Sequence, residues 1–349
     1  MITSFRTMKK LKIAQIAPLW FPIPPKKYGG TERIISLLTE ELIKRGHQVT
    51  LFAAGSSKTK AKLISVTKKG LREQGIPWHD WFWNNFNHSR AFEMAKNFDV
   101  LHCHWNILGA FFQRFVKTPV LHTLHNTPFR SDHRWKIFDY YKKDLKVVFL
   151  SKNQQKESPV RFKKEWVVYN GIDVSKFPFR EKPENFLLWV GRICPAKAPD
   201  IAIKTAKKTG MNLILAGQLQ PMYGDYFRKE IKPYLSEKIK YVGELTQKEL
   251  YSLYGTALAL LYPARWQEPF GLIVIESMAC GTPVVALRRG SLPEIVSEKT
   301  GFVVKDIPEM VKAVQSIDKI KREDCRERVE KHFTFQKMVD NYERIYYNL

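Results

Sequence analysis

The chain reads as two doubly wound α/β domains in succession, and three features of the sequence predict this. Short apolar runs alternate with amphipathic stretches along most of its length. The alternation opens with a β-α-β unit and restarts at residue 186, after a stretch over 177–185 that holds two prolines and mixed charges. A chain of 349 residues, 44% of them hydrophobic, has enough apolar content for two cores.

The opening strand is LKIAQIAP, 11–18. A loop rich in Pro and Gly runs over 19–30. The amphipathic helix after it, 31–45, carries Ile34, Ile35, Leu37, Leu38, Leu42 and Ile43, and Gly46 is its stop. The strand HQVTLFA, 47–53, completes a unit whose two strands must run parallel through a right-handed crossover. Apolar runs at 100–103, 120–124, 147–150 and 166–168 extend the first domain, placed at residues 1–175. The second domain, 183–330, starts with FLLWV at 186–190 and continues with runs at 213–216, 239–242, 258–262, 283–286 and 301–304. Helices are expected between them at 198–209, 246–254 and 270–279. The remainder, 331–349, ends in an aromatic-rich helical segment that is expected to cross back to the first domain. Two such Rossmann-like sheets are expected to face a cleft, because ligands bind at the carboxyl edge of parallel sheets.

No run of about 18 apolar residues appears, so no membrane-spanning helix is expected. The polar stretch 1–10 lacks the apolar centre of a signal peptide. Cys103, Cys194, Cys280 and Cys325 form no CxxC pair, which argues against zinc and a disulfide framework and for a reduced, cytoplasmic protein. The net charge is +24. Residues 1–170 hold 30 Lys and Arg against 12 Asp and Glu, and residues 171–349 hold 28 against 22. The basic first half fits either a solvated lysine-rich surface or peripheral contact with an anionic membrane. A polyanion-binding module is a competing reading, but nucleic acid is not an expected partner.

The sharpest chemical signal is RWQEPFGLIVIESMACGTP, 265–283. Glu268 and Glu276 are separated by seven residues. Pro269 is suited to open a helix, and Gly271 leaves the backbone bare in its first turn. A helix N-terminus there would offer N–H groups to a diphosphate. Glu268 could accept from sugar hydroxyls, while Glu276, about two turns on, is spaced for a ribose.

This segment resembles the EPFG…E signature of the family 4 glycosyltransferases, which have the GT-B fold. The resemblance runs along nearly the whole chain and implies that Glu268 binds the donor sugar and Glu276 the ribose. Backbone amides of Phe270, Gly271 and Leu272 would hold sugar and phosphate oxygens. VGRICPAK, 190–197, is similar to the family's strand-end Gly-Arg followed by Lys, so Arg192 and Lys197 would stabilise the leaving diphosphate. The family places Gly after that Lys, whereas this chain has Ala198. Gly29 and Gly30 resemble the glycine pair that precedes the first helix and meets the leaving phosphate. Thr123-Leu124-His125 fits the family's functional histidine, with His122 as the alternate. Asn170, in the stretch NGID, and Glu294, in SLPE, resemble further elements near the nucleotide.

The alternating pair His102 and His104 would share a strand face, a spacing that could suit a metal. The family works without one, however, and no metal is expected. The aromatic stretch PWHDWFWNNF, 77–86, has no counterpart in the family core. It could stack on an acceptor, touch a membrane or close the core, and packing is the favoured reading.

The resemblance implies a retaining hexosyltransferase. Its donor would be a nucleotide diphosphate sugar, a UDP-sugar or GDP-mannose, used as co-substrate without a further cofactor. The acceptor would be a glycan, a lipid or a small molecule. A sugar-nucleotide epimerase on the same fold is the alternative enzyme. An NAD-dependent dehydrogenase would need GxGxxG after the first strand, which is absent.

Overall fold

The computed structural model describes residues 9–105, 108–126, 133 and 135–349. The first eight residues, part of the stretch tested above for a leader, lie outside these. The chain separates into two compact units. The first runs to Phe149 and takes in Ser158–Val168 and Val339–Leu349; the second comprises Leu150–Glu157 and Tyr169–Met338. Residues 169–175, assigned to the first domain from sequence, thus lie in the second unit. Backbone bonds hold them there: Ile172 N donates to Phe333 O, and Phe335 N to Ile172 O.

The first unit is built on seven parallel strands. They are β1 (Lys12–Ile16), β2 (Gln48–Phe52), β3 (Lys62–Ile64), β4 (Val100–Cys103), β5 (Val120–Thr123), β6 (Lys146–Phe149) and β7 (Lys164–Val167). Their order is β3-β2-β1-β4-β5-β6-β7. The edge strand β3 gives no sequence signal, because Lys62 opens it and only Leu63 and Ile64 follow before Ser65, too short for a recognisable apolar run. The first helix, Gly30–Lys44, buries Ile34, Ile35, Leu38 and Leu42. The C-terminal helix, Phe335–Tyr347, buries Val339, Tyr342 and Tyr346 in this unit. Arg45 fastens it by donating to Asp340 Oδ1 at 2.7 Å and Glu343 Oε2 at 2.9 Å.

The second unit carries six parallel strands: β8 (Phe186–Val190), β9 (Asn212–Ala216), β10 (Ile239–Tyr241), β11 (Ala259–Tyr262), β12 (Val284–Leu287) and β13 (Gly301–Val304). Their order is β10-β9-β8-β11-β12-β13. Period-two alternation builds a core on each face. Leu188, Val190, Leu260, Tyr262 and Val284 pack on one side, and Leu187, Trp189, Leu213, Leu261 and Val285 on the other. In both sheets the strand order reverses beside the first strand, between β1 and β4 and between β8 and β11. Such switch points leave ligand-binding ground at the carboxyl ends of the strands.

The helix expected over 270–279 begins two residues later, at Leu272. Gly271 adopts φ +91°, a left-handed conformation that cannot continue back into a helical turn, so Pro269 and Phe270 stay outside it.

Candidate active site

At the switch point of the second sheet, Lys197 follows β8 and Glu268 follows β11. Lys197 Nζ lies 2.7 Å from Glu268 Oε2, with both side chains largely buried. Tyr262, the last residue of β11, donates its hydroxyl to the same oxygen, and Trp266 Nε1 donates to it at 2.8 Å. Lys197 also donates to Tyr262 OH at 2.9 Å, and its ammonium sits over the Trp266 ring at 4.6 Å. Three donors thus converge on Oε2 and spend none of the Oε1 lone pairs. Two of the three ammonium protons are engaged here, which leaves one for an anion.

The loop after β11 is stitched to the segment after β12. Ser291 N donates to Glu268 O at 2.9 Å, Ser291 Oγ to Phe270 O at 2.7 Å, and Gly290 N to Gln267 Oε1 at 2.6 Å. A Cβ at Gly290 would stand 2.2 Å from Glu268 O, so only glycine fits this approach. Phe270 is buried against Tyr169 and Phe333, and Leu272 opens the helix partly exposed. Glu276 is buried and accepts from Tyr254 OH at 3.2 Å. Arg192 lies half-buried two residues past β8. Ala198 holds φ +52°, ψ +51°, so it takes a left-handed conformation in place of the family's glycine.

At the switch point of the first sheet, the ends of β1, β4 and β5 bring together Gln15, His102, His104, Thr123 and His125. His104 Nδ1 lies 3.0 Å from His125 Nε2, and His104 Nε2 lies 2.6 Å from Gln15 Oε1. His102 Nδ1 meets Tyr346 OH at 2.7 Å, and its Nε2 meets Thr123 Oγ1 at 2.7 Å. Both nitrogens of His102 and of His104 are therefore committed to hydrogen bonds. Among the described residues no group of three or more His, Cys, Asp or Glu is placed to hold a metal. Burial pushes His125 down to about 3, and burial with neighbouring histidines holds His102 and His104 well below the usual range. All three are uncharged near neutrality.

His122 points away from this group, bonds Gln113 Oε1 at 3.2 Å, and is lowered to about 3 by burial. Gly29 immediately precedes the first helix and Gly30 is its first residue. Asn170 is buried beside the backbone pairing of Ile172 with Phe333. Glu294 accepts from Lys152 N at 2.9 Å, Asn153 N at 2.5 Å and Tyr169 OH at 2.8 Å, so its carboxylate caps the short helix Lys152–Glu157.

The aromatic stretch divides. Trp78 packs on Trp20 at 4.8 Å and on Phe21 at 5.7 Å. Trp81, Phe82, Trp83 and Phe86, around the first turn of the helix Phe82–Glu93, are exposed, and Phe82 is 83% so. Packing therefore accounts for only part of the stretch. Sequence reasoning also missed Tyr262, Trp266 and Ser291, which hold Glu268 and its loop. The one local signal was Trp266, two residues before Glu268.

Residues 28–176 match the model of Glycosyltransferase Family 4, and residues 173–332 match that of Glycosyl transferases group 1. An uncharacterized glycosyltransferase of Methanocaldococcus jannaschii is 26% identical over 344 residues, covering 83% of this chain and 84% of that protein. Sucrose-phosphate synthase from Thermosynechococcus elongatus superposes with a TM-score of 0.80 at 20% identity, over 97% of this chain and 99% of that one. The Anabaena protein HepE, solved in complex with UDP-glucose, superposes at 0.76 with 18% identity, over 97% of this chain and 100% of that one. The chain belongs to the GT-B glycosyltransferases, which transfer a sugar from a nucleotide diphosphate sugar, with a family 4 first half and a group 1 second half.

Proposed function

We propose that the chain moves a hexose from a UDP-sugar or GDP-mannose to an acceptor hydroxyl with retention at the anomeric carbon. The observation that carries this reading is the buried Lys197–Glu268 pair at the switch point of the second sheet. A carboxylate whose Oε1 is unspent by the three bonds on Oε2 suits sugar hydroxyls. The ammonium beside it has one N–H left for a phosphate oxygen. Arg192, on the same strand end, adds a second cation for the charge that gathers on the β-phosphate as the glycosidic bond breaks. The amides of Phe270, Gly271 and Leu272 serve the same anion, and Glu276 serves the ribose. Gly29 and Gly30 meet the leaving phosphate, and His125 accepts from a donor hydroxyl. The acceptor hydroxyl attacks from the face that the diphosphate leaves, and the β-phosphate takes its proton. The protein supplies orientation and charge rather than a covalent intermediate.

A thermal-shift screen across UDP-, GDP- and ADP-sugars identifies the donor. The anomeric configuration of the product, read by NMR, decides retention. Glu268→Ala and Arg192→Ala should each cut turnover by at least about 100-fold while the fold persists. Near-normal rates in both variants would remove the donor-site assignment.

A peripheral contact with an anionic membrane belongs to the same proposal. It is favoured by the exposed aromatic turn Trp81, Phe82, Trp83 and Phe86 in the basic half of the chain. Aromatic rings settle at the membrane–water interface, and lysines are drawn to anionic headgroups. Vesicles containing phosphatidylserine should retain the protein at low salt, and Phe82→Ser should weaken that retention. Equal binding to neutral vesicles would refute the electrostatic part.

A further inference from the structure

The pairing of β8 with β11 runs only to Leu188 and Leu260, whereas Lys197 and Glu268 stand beyond it, in the loops that follow each strand. The sheet therefore does not fix their separation. The loop after β8 is tied back to its own strand, since Trp189 Nε1 donates to Lys197 O at 3.1 Å. The loop after β11 is tied toward β12 by Ser291 N on Glu268 O. Arg265 joins one loop to the other with its backbone and its side chain together. Its amide N donates to Ala196 O at 2.9 Å, and its Nη1 to Pro195 O at 2.8 Å. The guanidinium also grips Asp200, in the first turn of the helix Pro199–Thr209, from Nη1 to Oδ1 at 2.8 Å and from Nη2 to Oδ2 at 2.6 Å. These contacts flank Lys197 on both sides in the chain. Asp200 is buried, accepts from Tyr226 OH at 2.6 Å, and has Lys204 Nζ 3.5 Å from Oδ2. Burial would raise its carboxyl, but the bonds from Arg265 and Tyr226 outweigh this and hold it below its ordinary value, so the anchor stays ionised near neutrality.

We propose that Arg265 and Asp200 are positioning residues for the donor site: their two-pronged pair sets the loop after β11 against the loop after β8, and so presents Glu268 and Lys197 at one spacing before a sugar nucleotide arrives. The consequence for transfer rests on the reading of Lys197 and Glu268 as donor contacts. The setting of the loops does not. A planar fork on a carboxylate fixes orientation as well as distance, whereas an ammonium in its place fixes only distance. The Arg265 side chain is 43% exposed, so water can replace its bonds, and its loss should loosen the loops more than the fold.

Trp266 reports on the loops without any ligand, because it follows Arg265 directly and its Nε1–H is held by Glu268 Oε2 at 2.8 Å. The experiment measures exchange of that indole proton with water in tryptophan-labelled apoprotein, its signal assigned by Trp266→Phe. Wild type is compared with Arg265→Lys, which keeps the charge and loses the fork, and with Tyr226→Phe, which removes one bond to Asp200 and leaves the fork whole. Exchange should quicken at least about tenfold in Arg265→Lys and change less than about twofold in Tyr226→Phe. Asp200→Asn, which turns one acceptor of the fork into a donor, should repeat the Arg265→Lys result. Turnover is read as release of UDP from UDP-glucose or of GDP from GDP-mannose. Arg265→Lys should lower kcat at least about tenfold at equal folded fraction, with the donor KM within about threefold of wild type, because the misplaced charge is missed when the bond breaks. Unchanged indole exchange in Arg265→Lys and Asp200→Asn, or an equal change in Tyr226→Phe, would overturn the positioning role. Faster exchange with unchanged turnover would uphold it and withdraw the donor role of Lys197 and Glu268.

Discussion

Glu32, in the first turn of the helix that follows Gly29 and Gly30, tests how burial sets charge at this end of the first unit. Its side chain is buried, and desolvation raises its carboxyl from the ordinary 4.5 to about 7, against smaller lowering effects from its own backbone amide and Arg33. At about 1.36 kcal/mol per pH unit, ionising Glu32 in the folded chain costs about 3 kcal/mol more than in the unfolded one. The folded state holds this proton more tightly than the unfolded state. Stability therefore falls as pH rises from 4.5 through 7 and levels off above that. At pH 5 most of the cost is absent, leaving about 1 kcal/mol, and at pH 8 nearly all of it is present. Glu32→Gln is neutral throughout. Its stability relative to wild type should thus rise by about 2 kcal/mol between pH 5 and pH 8. Guanidinium unfolding of both proteins at the two pH values measures this, and other titrating groups cancel in the difference. An unchanged difference would refute the argument and show that Glu32 ionises freely in the fold.

Lys197→Met should destabilise the second unit by about 3 kcal/mol, because it strips the counter-charge from a buried carboxylate. The same variant should lower turnover by at least about 100-fold, read by unfolding and a transfer assay on one preparation. Gly290→Ala should cost more than about 2 kcal/mol and weaken donor binding, since its Cβ would fall 2.2 Å from Glu268 O and 2.4 Å from Glu268 N, both backbone atoms. Thermal melts with and without UDP separate the two effects. Ala198→Val should lose about 2 kcal/mol in a melt, because a β-branched side chain resists the left-handed conformation at φ +52°, whereas Ala198→Gly should stay within about 1 kcal/mol of wild type.

The strands were legible because parallel sheets are buried on both faces. FLLWV at 186–190 and VLHC at 100–103 are apolar runs that coincide with β8 and β4. The Leu272–Ala279 helix was legible as an element but not in its start, since a glycine at φ +91° resembles any other glycine in sequence. Glu268 and Lys197 were found one at a time. That they form a pair depends on β8 lying next to β11, which is a property of strand order. The hydrogen-bonded histidine group of the first sheet was the least legible feature. Gln15 and Tyr346 are 331 residues apart in the chain, and Gln15 meets the His102 strand only through the register of β1 on β4. Local pattern cannot supply that register, so the alternation of His102 and His104 indicated a shared strand face without indicating the hydrogen-bond partners of either ring.

On the proposed function, the two switch points solve different electrostatic problems with the same topology. A protonated imidazole has no lone pair, so a histidine that accepts from a hydroxyl must stay uncharged. Burial beside β4 and β5 keeps His102, His104 and His125 in that state. A diphosphate needs fixed positive charge, and an isolated ammonium would be expensive to bury. Lys197 is half-shielded by a carboxylate, a phenol and an indole ring, so it is held in place before any anion arrives. That preorganisation keeps one N–H in reserve and spares the site the cost of orienting the charge at the moment the bond breaks. The same Glu268 that steadies Lys197 leaves Oε1 clear of those three bonds. In the proposed donor site a single buried pair would therefore address both halves of a sugar nucleotide, the hydroxyls through its carboxylate and the phosphate through its ammonium.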